Sequence, residues 1–178
     1  MIFKKQKLDG VFVIEAESHS DERGLFRRHF CQNELSSNGI DFSAKQGNIS
    51  ENKMKHTLRG FHYQKPPSKE SKIISCISGS IFNVLIDLRP ESRTFMEWQE
   101  FYFSSESRDS LYIPVGCANA FLTLEDNTWI HYYMNDFFIT ESSGFRYNDP
   151  AFNINWPKIP KFISEKDKKY SDLVICNS

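Results

Sequence analysis

The sequence predicts an all-β protein, a sandwich or barrel of short strands. Its strand-like segments follow one another at short spacing and are separated by Gly, Pro, Asn and Asp, which is typical of such folds. Aromatic residues make up 15% of the chain, including 16 Phe, and this composition favours strands over helices. At 178 residues the chain is long enough to bury a core, so residues 1–178 are predicted to form a single domain.

The segment 80–88 is apolar on both faces for most of its length, which predicts a strand in the middle of a sandwich. Helical structure is expected only as one turn within residues 33–39 and as a few short C-terminal helices. The clearest helix start is Ser164, with Asp167 three residues later as a weak capping box. The remaining segments predicted to be extended are 10–17, 25–30, 42–50, 58–64, 72–77, 98–104, 110–113, 120–125 and 128–134.

The bulk composition excludes several classes of protein. A net charge of −1 and a pI near 6.5 leave no general basic surface for nucleic acid or an anionic membrane. No apolar run approaches the ~20 residues of a membrane-spanning helix, and the N-terminus lacks the features of a signal peptide. The four cysteines are widely spaced, without a CxxC pair, and are interpreted as reduced thiols of a cytoplasmic protein: Cys31, Cys76, Cys117 and Cys176.

The segment Leu58-Arg59-Gly60-Phe61-His62-Tyr63-Gln64 places a titratable imidazole three residues after an arginine. In a regular strand, Arg59 and His62 would lie on opposite faces. A bulge near Gly60 would bring both side chains to one cavity, where they would combine a proton-transfer group with a permanent cation. The alternative is a half-buried histidine that is hydrogen-bonded within a strand.

Ten short motifs occur in an order that resembles the dTDP-4-dehydrorhamnose 3,5-epimerase family over nearly the whole chain. Each motif is weak alone, but the ordered set is specific. The motifs are Asp21-Glu22-Arg23-Gly24-Leu25-Phe26, Gln46-Gly47-Asn48-Ile49-Ser50, Leu58-Arg59-Gly60-Phe61-His62-Tyr63-Gln64, Lys72 at a strand start, Gly79-Ser80-Ile81-Phe82-Asn83-Val84, Asp87-Leu88-Arg89, Ile113-Pro114-Val115-Gly116, Tyr147-Asn148-Asp149-Pro150, Ile154-Asn155-Trp156-Pro157 and Ser164-Glu165-Lys166-Asp167.

The resemblance implies a cupin-type jelly roll, usually a homodimer in which an N-terminal strand contributes to the partner's site. It also implies epimerisation of a nucleotide-diphosphate sugar of the 4-keto-6-deoxy class, with no metal and no organic cofactor. The residues agree with a metal-free site, because Phe61-His62-Tyr63-Gln64 lacks the second nearby histidine of a metal cupin.

The resemblance also assigns catalytic roles. His62 is the expected base, Asp167 the carboxylate that orients it, and Lys72 the cation that stabilises the enolate oxygen. Tyr132 is the expected acid on the opposite face of the sugar, provided that the pKa of its phenol is lowered. Taken singly, Lys72 could be a surface lysine, Tyr132 a core tyrosine and Asp167 an acid in the first turn of a helix.

Further residues are expected to bind the substrate. Arg59 would hold the diphosphate, and Arg23 and Phe26, reaching across the dimer, would hold phosphate and base. The other polar contacts to the nucleotide sugar are assigned to Gln46, Asn48 and Lys166.

Three positions depart from the family pattern. Asn119 stands where the family has a second active-site histidine, and an amide cannot carry a proton at neutral pH. Arg28 stands where an acid is usual, and an arginine suits the O6 and N7 atoms of guanine, so the donor could be GDP-linked. Phe138 keeps the stacking face of the usual aromatic phenol but loses its hydroxyl. We expect these changes to alter specificity rather than to abolish catalysis.

The sequence therefore predicts an epimerase that inverts C3, C5 or both in a GDP- or dTDP-linked 4-keto-6-deoxy hexose or heptose, for a surface polysaccharide. Two alternatives remain open at this point. One is a 3,4-ketoisomerase on the same fold, and the other is a non-catalytic cupin that binds a sugar nucleotide.

Overall fold

The computed structural model describes residues 1–137 and 143–174. Within these residues no helix is both long and apolar enough to cross a bilayer. The elements are β1 Ile2–Lys5, β2 Phe12–Glu15, β3 Ser18–Asp21, β4 Gly24–Arg27, α1 Gln32–Ser37, β5 Gln46–Asn52, β6 Thr57–Tyr63, β7 Lys72–Ser78, β8 Ser80–Asp87, β9 Trp98–Ser104, β10 Ser110–Ile113, β11 Cys117–Thr123, β12 Thr128–Met134, β13 Ser143–Gly144, β14 Phe162–Ile163 and α2 Glu165–Lys168.

The strands form two main sheets. The first sheet has the order β1-β2-β10-β7-β12-β5, and the second has the order β13-β6-β11-β8-β9. Strand β14 pairs in parallel with β6, whereas β3 and β4 pair with each other as a separate hairpin. The all-β prediction is confirmed. Of the two helices in the described residues, α2 lies in the C-terminal tail and α1 lies between β4 and β5.

Strand β8 explains how the layers stack. Ile81 and Leu85 pack into a core formed by residues of both sheets, and Phe82, Val84 and Ile86 pack into a second core on the other face. Because side chains alternate along a strand, a strand that is apolar on both faces needs a layer on each side. The position predicted for this strand, in the interior of a sandwich, is confirmed.

The second core is closed by the C-terminal segment. Phe145 stacks on Phe61 of β6 with a ring-centroid distance of 4.9 Å, and Trp156 packs against the same cluster. This burial of aromatic surface holds the tail against β6, and the chain then pairs through β14 with the start of that strand. The tail is thereby directed so that α2 lies beside the His62 region.

Several predicted strand bounds differ from the observed ones. Strands β9, β10 and β12 have the predicted bounds, but β11 begins at Cys117 rather than at residue 120. The preceding Gly116 has a φ of +82°, and a Cβ there would lie 2.6 Å from Arg89 Cγ, so the turn requires glycine and ends just before β11. Strands β1 and β3 and the two-residue strands β13 and β14 were not predicted, because such short segments carry little periodicity.

Candidate active site

A cavity of about 650 Å³ is lined by both sheets and by the C-terminal tail. Strands β5, β7 and β12 contribute from the first sheet, β6 contributes from the second, and residues 161–168 close one side. This cavity brings together seven of the predicted site residues: Asn48, Arg59, His62, Lys72, Tyr132, Lys166 and Asp167.

A bulge in β6 places Arg59 and His62 on the same cavity. His62 lies opposite Asn119 of β11 and Arg59 lies opposite Phe121, so three steps along β6 match two steps along β11. Gly60, between them, has a φ of +117°, and a Cβ there would lie 2.5 Å from the carbonyl oxygen of Asn119. Only glycine fits this position. The bulge predicted near Gly60 is confirmed.

His62 forms a close pair with Asp167. The Nε2 atom of the imidazole lies 2.8 Å from Oδ1 of Asp167. The carboxylate side chain is 5% exposed, whereas the imidazole is 39% exposed and borders the cavity. Ser164 caps α2 by accepting a hydrogen bond from the Asp167 amide at 3.0 Å, as the capping motif predicted.

The electrostatics of Asp167 set the tautomer of His62. Burial alone raises the pKa of the Asp167 carboxyl, but hydrogen bonds from His62 and from the Gly60 N–H outweigh burial, so the pKa lies below its ordinary value. The ionised carboxylate accepts the Nε2–H bond of His62. The lone pair of the neutral imidazole is then on Nδ1, which is the nitrogen that can take a proton.

Tyr132 lies on β12, in the sheet opposite His62, and borders the same cavity. Burial raises the pKa of its phenol well above its ordinary value, and the charge of Arg59 opposes this only in part. The condition attached to the predicted acid role, a lowered pKa, is therefore not met. The phenol stays protonated at neutral pH and is available as a donor to a carbanion-like carbon, which is a much stronger base than a phenolate.

Lys72 begins β7 and pairs with a residue that sequence reasoning missed. Its Nζ atom lies 2.8 Å from Oε1 of Glu70, and the two side chains are 14% and 3% exposed. Both residues line the cavity. The available signal was the spacing, because residues two apart in an extended chain lie on the same face.

Arg59 is oriented by Asn52, a second residue that sequence reasoning missed. The Arg59 Nε atom donates to Asn52 Oδ1 at 2.8 Å, and Asn52 itself donates to the Thr128 carbonyl at 3.0 Å. Gln46 donates to Asn48 Oδ1 at 3.1 Å, so it contacts a cavity residue without lining the cavity.

The charges around the cavity favour an anion. Among the described lining residues, the carboxylates Glu70 and Asp167 are outnumbered by cationic side chains. A concave site with excess positive charge attracts a diphosphate. The lining lysines of the tail other than Lys166 were not predicted, because they belong to no motif that would have identified them. The cationic residues are Arg59, Lys72, Lys161, Lys166 and Lys168.

Asn119 does not border the cavity. Its side chain is buried, and Nδ2 donates to Asn83 Oδ1 at 2.7 Å and to the Ala120 carbonyl at 3.1 Å. These contacts satisfy the amide within the sheet and direct it away from the ligand space. Asn119 is therefore absent from the lining of the cavity, and its contact with a substrate stays a prediction.

The hairpin β3–β4 lies apart from the cavity. Arg23 pairs with Asp21 at 2.5 Å, Phe26 is 75% exposed, and Arg28 pairs with Glu34 of α1. None of the three predicted residues on and after this hairpin lines this chain's own cavity. Phe138 lies outside the described residues.

The next feature is the set of side chains that could hold a metal ion. Within residues 1–137 and 143–174 no group of three or more His, Cys, Asp or Glu side chains is arranged to hold a metal ion. His62 has a carboxylate neighbour rather than a second imidazole. The residues at the cavity form hydrogen-bonded acid–base and ion pairs.

Known proteins are similar to nearly the whole length of this chain. The family model for dTDP-4-dehydrorhamnose 3,5-epimerase matches residues 5–174. An enzyme of that name from Methanothermobacter thermautotrophicus is 36% identical over 175 residues, which cover 96% of this chain and 94% of the relative.

Solved structures agree with the sequence match. A dTDP-4-dehydrorhamnose 3,5-epimerase from Bacillus anthracis with TDP and PPi bound superposes with a TM-score of 0.93, at 29% identity, over 97% of this chain and 99% of that one. A 3′-monoepimerase from Streptomyces bikiniensis in complex with dTDP-quinovose gives a TM-score of 0.86, at 27% identity, over 94% and 85% of the two chains. The chain belongs to the dTDP-4-dehydrorhamnose 3,5-epimerase family and is a sugar epimerase of the cupin type.

Proposed function

We propose that this chain inverts C3, C5 or both carbons of a nucleotide-linked 4-keto-6-deoxy sugar through an enolate. The observation that carries the proposal is the position of His62, paired with Asp167 of α2, on one sheet of the cavity, with Tyr132 and Lys72 on the other sheet. Inversion next to a ketone requires a base and an acid on opposite faces of the sugar. Two facing sheets supply them.

The first step removes a proton from carbon. Nδ1 of His62 accepts the proton from the carbon beside the 4-keto group, and the C–H electrons move into an enolate whose charge rests on O4. The Asp167 carboxylate stabilises the imidazolium through its bond to Nε2. The Lys72 ammonium stabilises the oxyanion, because a preorganised charge in a shielded site opposes charge development strongly.

The second step returns a proton from the other face. The Tyr132 phenol donates to the enolate carbon, which leaves the configuration inverted and a phenolate on the protein. Burial holds the phenol protonated before this step. Solvent then reprotonates the phenolate and removes the proton from His62, so the enzyme returns to its starting state.

The structural relatives support a dTDP-linked donor, because those named above hold TDP or a dTDP sugar. Recognition of GDP through Arg28 has less support, since its guanidinium is engaged by Glu34. Arg59 and the lysines of the tail would hold the diphosphate, and Asn48 would contact the sugar nucleotide.

We further infer a homodimer of the cytoplasm. Arg23 and Phe26 are exposed on a hairpin that pairs only with itself among the described strands, so a second copy could reach them, although Arg23 would have to exchange its exposed ion pair with Asp21 for a phosphate. Cys31, Cys76 and Cys117 are free thiols, which suits a reducing compartment. A surface polysaccharide is the proposed destination of the product.

Solvent exchange tests the proposed reaction. The protein is incubated in D₂O with dTDP- and GDP-linked 4-keto-6-deoxy sugars, and deuterium at C3 and C5 is followed by NMR. We expect label to enter with the dTDP donor at one or both carbons. His62→Asn should slow this exchange about 10³-fold or more, because it removes the base.

The matched control is His56→Asn, a histidine outside the cavity lining. This variant should exchange at the wild-type rate. Measurable binding without exchange by the wild type would contradict the proposed reaction and favour a non-catalytic binding protein. Migration of the carbonyl from C4 to C3 would identify a ketoisomerase instead.

A further inference from the structure

We propose that Glu70 is a positioning residue of the reaction, which acts by fixing the ammonium group of Lys72 at the enolate oxygen. The inference rests on the proposed function of the cavity and adds a residue to it. Glu70 does not need to touch the substrate for this role. Its contact is with Lys72, at 2.8 Å between Oε1 and Nζ.

The chain between the two residues is held in place. Ser71 donates its amide to Oδ1 of Asn135 at 2.7 Å, and the Asn135 amide donates to the Ser71 carbonyl at 3.3 Å. Glu70 and Lys72 flank this anchor and project to the same side, as residues two apart in an extended chain do. The backbone positions from which the two side chains extend are thus held near each other.

Burial makes the pair mutually dependent. The Glu70 side chain is 3% exposed, and its buried Oε2 atom has no hydrogen-bond partner within residues 1–137 and 143–174. A buried carboxylate is costly unless a cation compensates it, and the ammonium of Lys72 is the salt-bridge partner observed. The position of the ammonium is therefore tied to that of the carboxylate.

The orientation of the Lys72 ammonium group has to be fixed, because a lysine side chain is a flexible four-carbon stem that ends in three donors. Glu70 takes one donor and limits the freedom of the stem. The remaining donors are then available to the O4 atom before the reaction begins, which lowers the reorganisation needed as charge develops.

The same logic appears twice across the cavity. His62 of the second sheet has Asp167 as its carboxylate, and Lys72 of the first sheet has Glu70. Each carboxylate is at most 5% exposed, and each partner is the more exposed member of its pair. Both groups that would face the substrate are therefore oriented from behind by a buried acid.

Glu70→Gln tests the proposal, since it keeps the shape and removes the charge. We expect kcat for epimerisation to fall by about 10-fold to 100-fold, with KM within about threefold, because positioning of an oxyanion donor is weakened. In a Lys72→Met background the same substitution should have no further effect on kcat. Glu97→Gln, which removes the charge from an exposed Lys–Glu pair at 3.0 Å, is the matched control and should change neither constant.

A second readout does not depend on turnover. The Lys72 ammonium should give a slowly exchanging ¹⁵N-correlated NMR signal in the wild type, and this signal should vanish in Glu70→Gln. Glu70→Asp, which keeps the charge but shortens the reach, should give intermediate kcat values and serves if the glutamine variant folds poorly.

An unchanged kcat in Glu70→Gln would overturn the inference. So would a loss of kcat on Glu70→Gln that is equal in the wild-type and Lys72→Met backgrounds. Retention of the Lys72 signal in Glu70→Gln would overturn it too. These results differ from failure of the proposed function, in which the wild type itself would show no exchange with any donor. The NMR signal would still decide the role of Glu70 in that case.

Discussion

Asp87 and Asp167 are two buried aspartates of one sandwich with different surroundings. Asp87 is 0% exposed, and its carboxylate accepts from the Arg89 guanidinium at 2.8 Å through both oxygens and from Thr94 Oγ1 at 2.7 Å. It also accepts from the Arg89 amide and from Ser92 Oγ. Every one of these donors lies within seven residues of Asp87 in the chain.

Asp167 has fewer and more distant donors. Its side-chain partner His62 lies 105 residues away, and the Gly60 amide contributes a long contact of 3.4 Å. In addition, the partner imidazole is the group that borders the cavity.

The contrast separates two uses of a buried charge. A carboxylate that is saturated by local donors closes a loop and has no capacity left for a ligand. A carboxylate whose principal partner is a partly exposed acid–base group, far away in the sequence, orients that group and stabilises its charged form at the cavity instead. Burial and a lowered pKa are common to both residues, so the identity and exposure of the partner make the distinction.

The largest expected effect concerns Asp167 and activity. Asp167→Asn should lower kcat for solvent exchange by about 10²-fold or more, because the amide no longer fixes the tautomer of His62 or stabilises its charged form. The free energy of unfolding should fall by only about 1 kcal/mol, since the amide of the asparagine retains hydrogen-bonding capacity. Initial rates of deuterium incorporation and the urea midpoint measure the two effects.

A loss of stability without a loss of rate in Asp167→Asn would remove the distinction between the two aspartates. The control is Asp126→Asn, an aspartate outside the cavity whose Oδ1 atom accepts from the Lys55 amide. It should leave the rate unchanged.

The next effect concerns Asp87 and stability. Asp87→Asn leaves the Arg89 charge, 19% exposed, without its partner. We expect the free energy of unfolding to fall by about 3 kcal/mol. This is the lower end of the range for a broken buried ion pair, because Arg89 is still partly exposed to solvent. In a chain of this size that corresponds to a fall in Tm of about 6–12 °C.

The kcat of the folded Asp87→Asn variant should stay within about twofold of the wild type. A fall of kcat comparable to that of Asp167→Asn, measured well below the transition temperature, would show that Asp87 also serves the cavity. Thermal unfolding by circular dichroism, together with the exchange assay at 15 °C, provides both measurements.

The sequence predicted the sheets because strand periodicity and turn residues are local signals. Seven of the residues that line the cavity were also predicted, through the resemblance to a known family, whereas Glu70, Lys161 and Lys168 were not. The segment that forms β8, for example, is apolar on both faces and therefore required a layer on each side, and both layers are present.

Other properties depend on packing and were beyond a sequence argument. The raised pKa of the Tyr132 phenol comes from burial by other elements, and no neighbour in the sequence signals it. Asn119 lies on β11, before the start predicted for that strand, and its amide donates to Asn83 of the neighbouring strand β8, a contact that the sequence does not indicate. The pairing of Glu70 with Lys72 was visible as spacing, yet spacing alone cannot distinguish a buried pair from two surface charges.

The smallest effect is a pH dependence of the difference in the free energy of unfolding between the wild type and Asp87→Asn. Burial raises the pKa of the Asp87 carboxyl, but hydrogen bonds from Arg89, Ser92 and Thr94 lower it by more, so the folded-state pKa lies below the ordinary value of 3.8. The unfolded chain therefore binds the proton more readily. The stabilisation by Asp87 is fully present above about pH 5 and is lost as the pH falls below 3.8 through the folded-state pKa. Urea unfolding at pH 7, 5, 4 and 3 should thus give a constant difference in free energy at the two higher values and a shrinking one at the two lower values. A difference that grows as the pH falls would require a raised pKa, and Asp87 would then be a protonated acid rather than the ionised partner of Arg89.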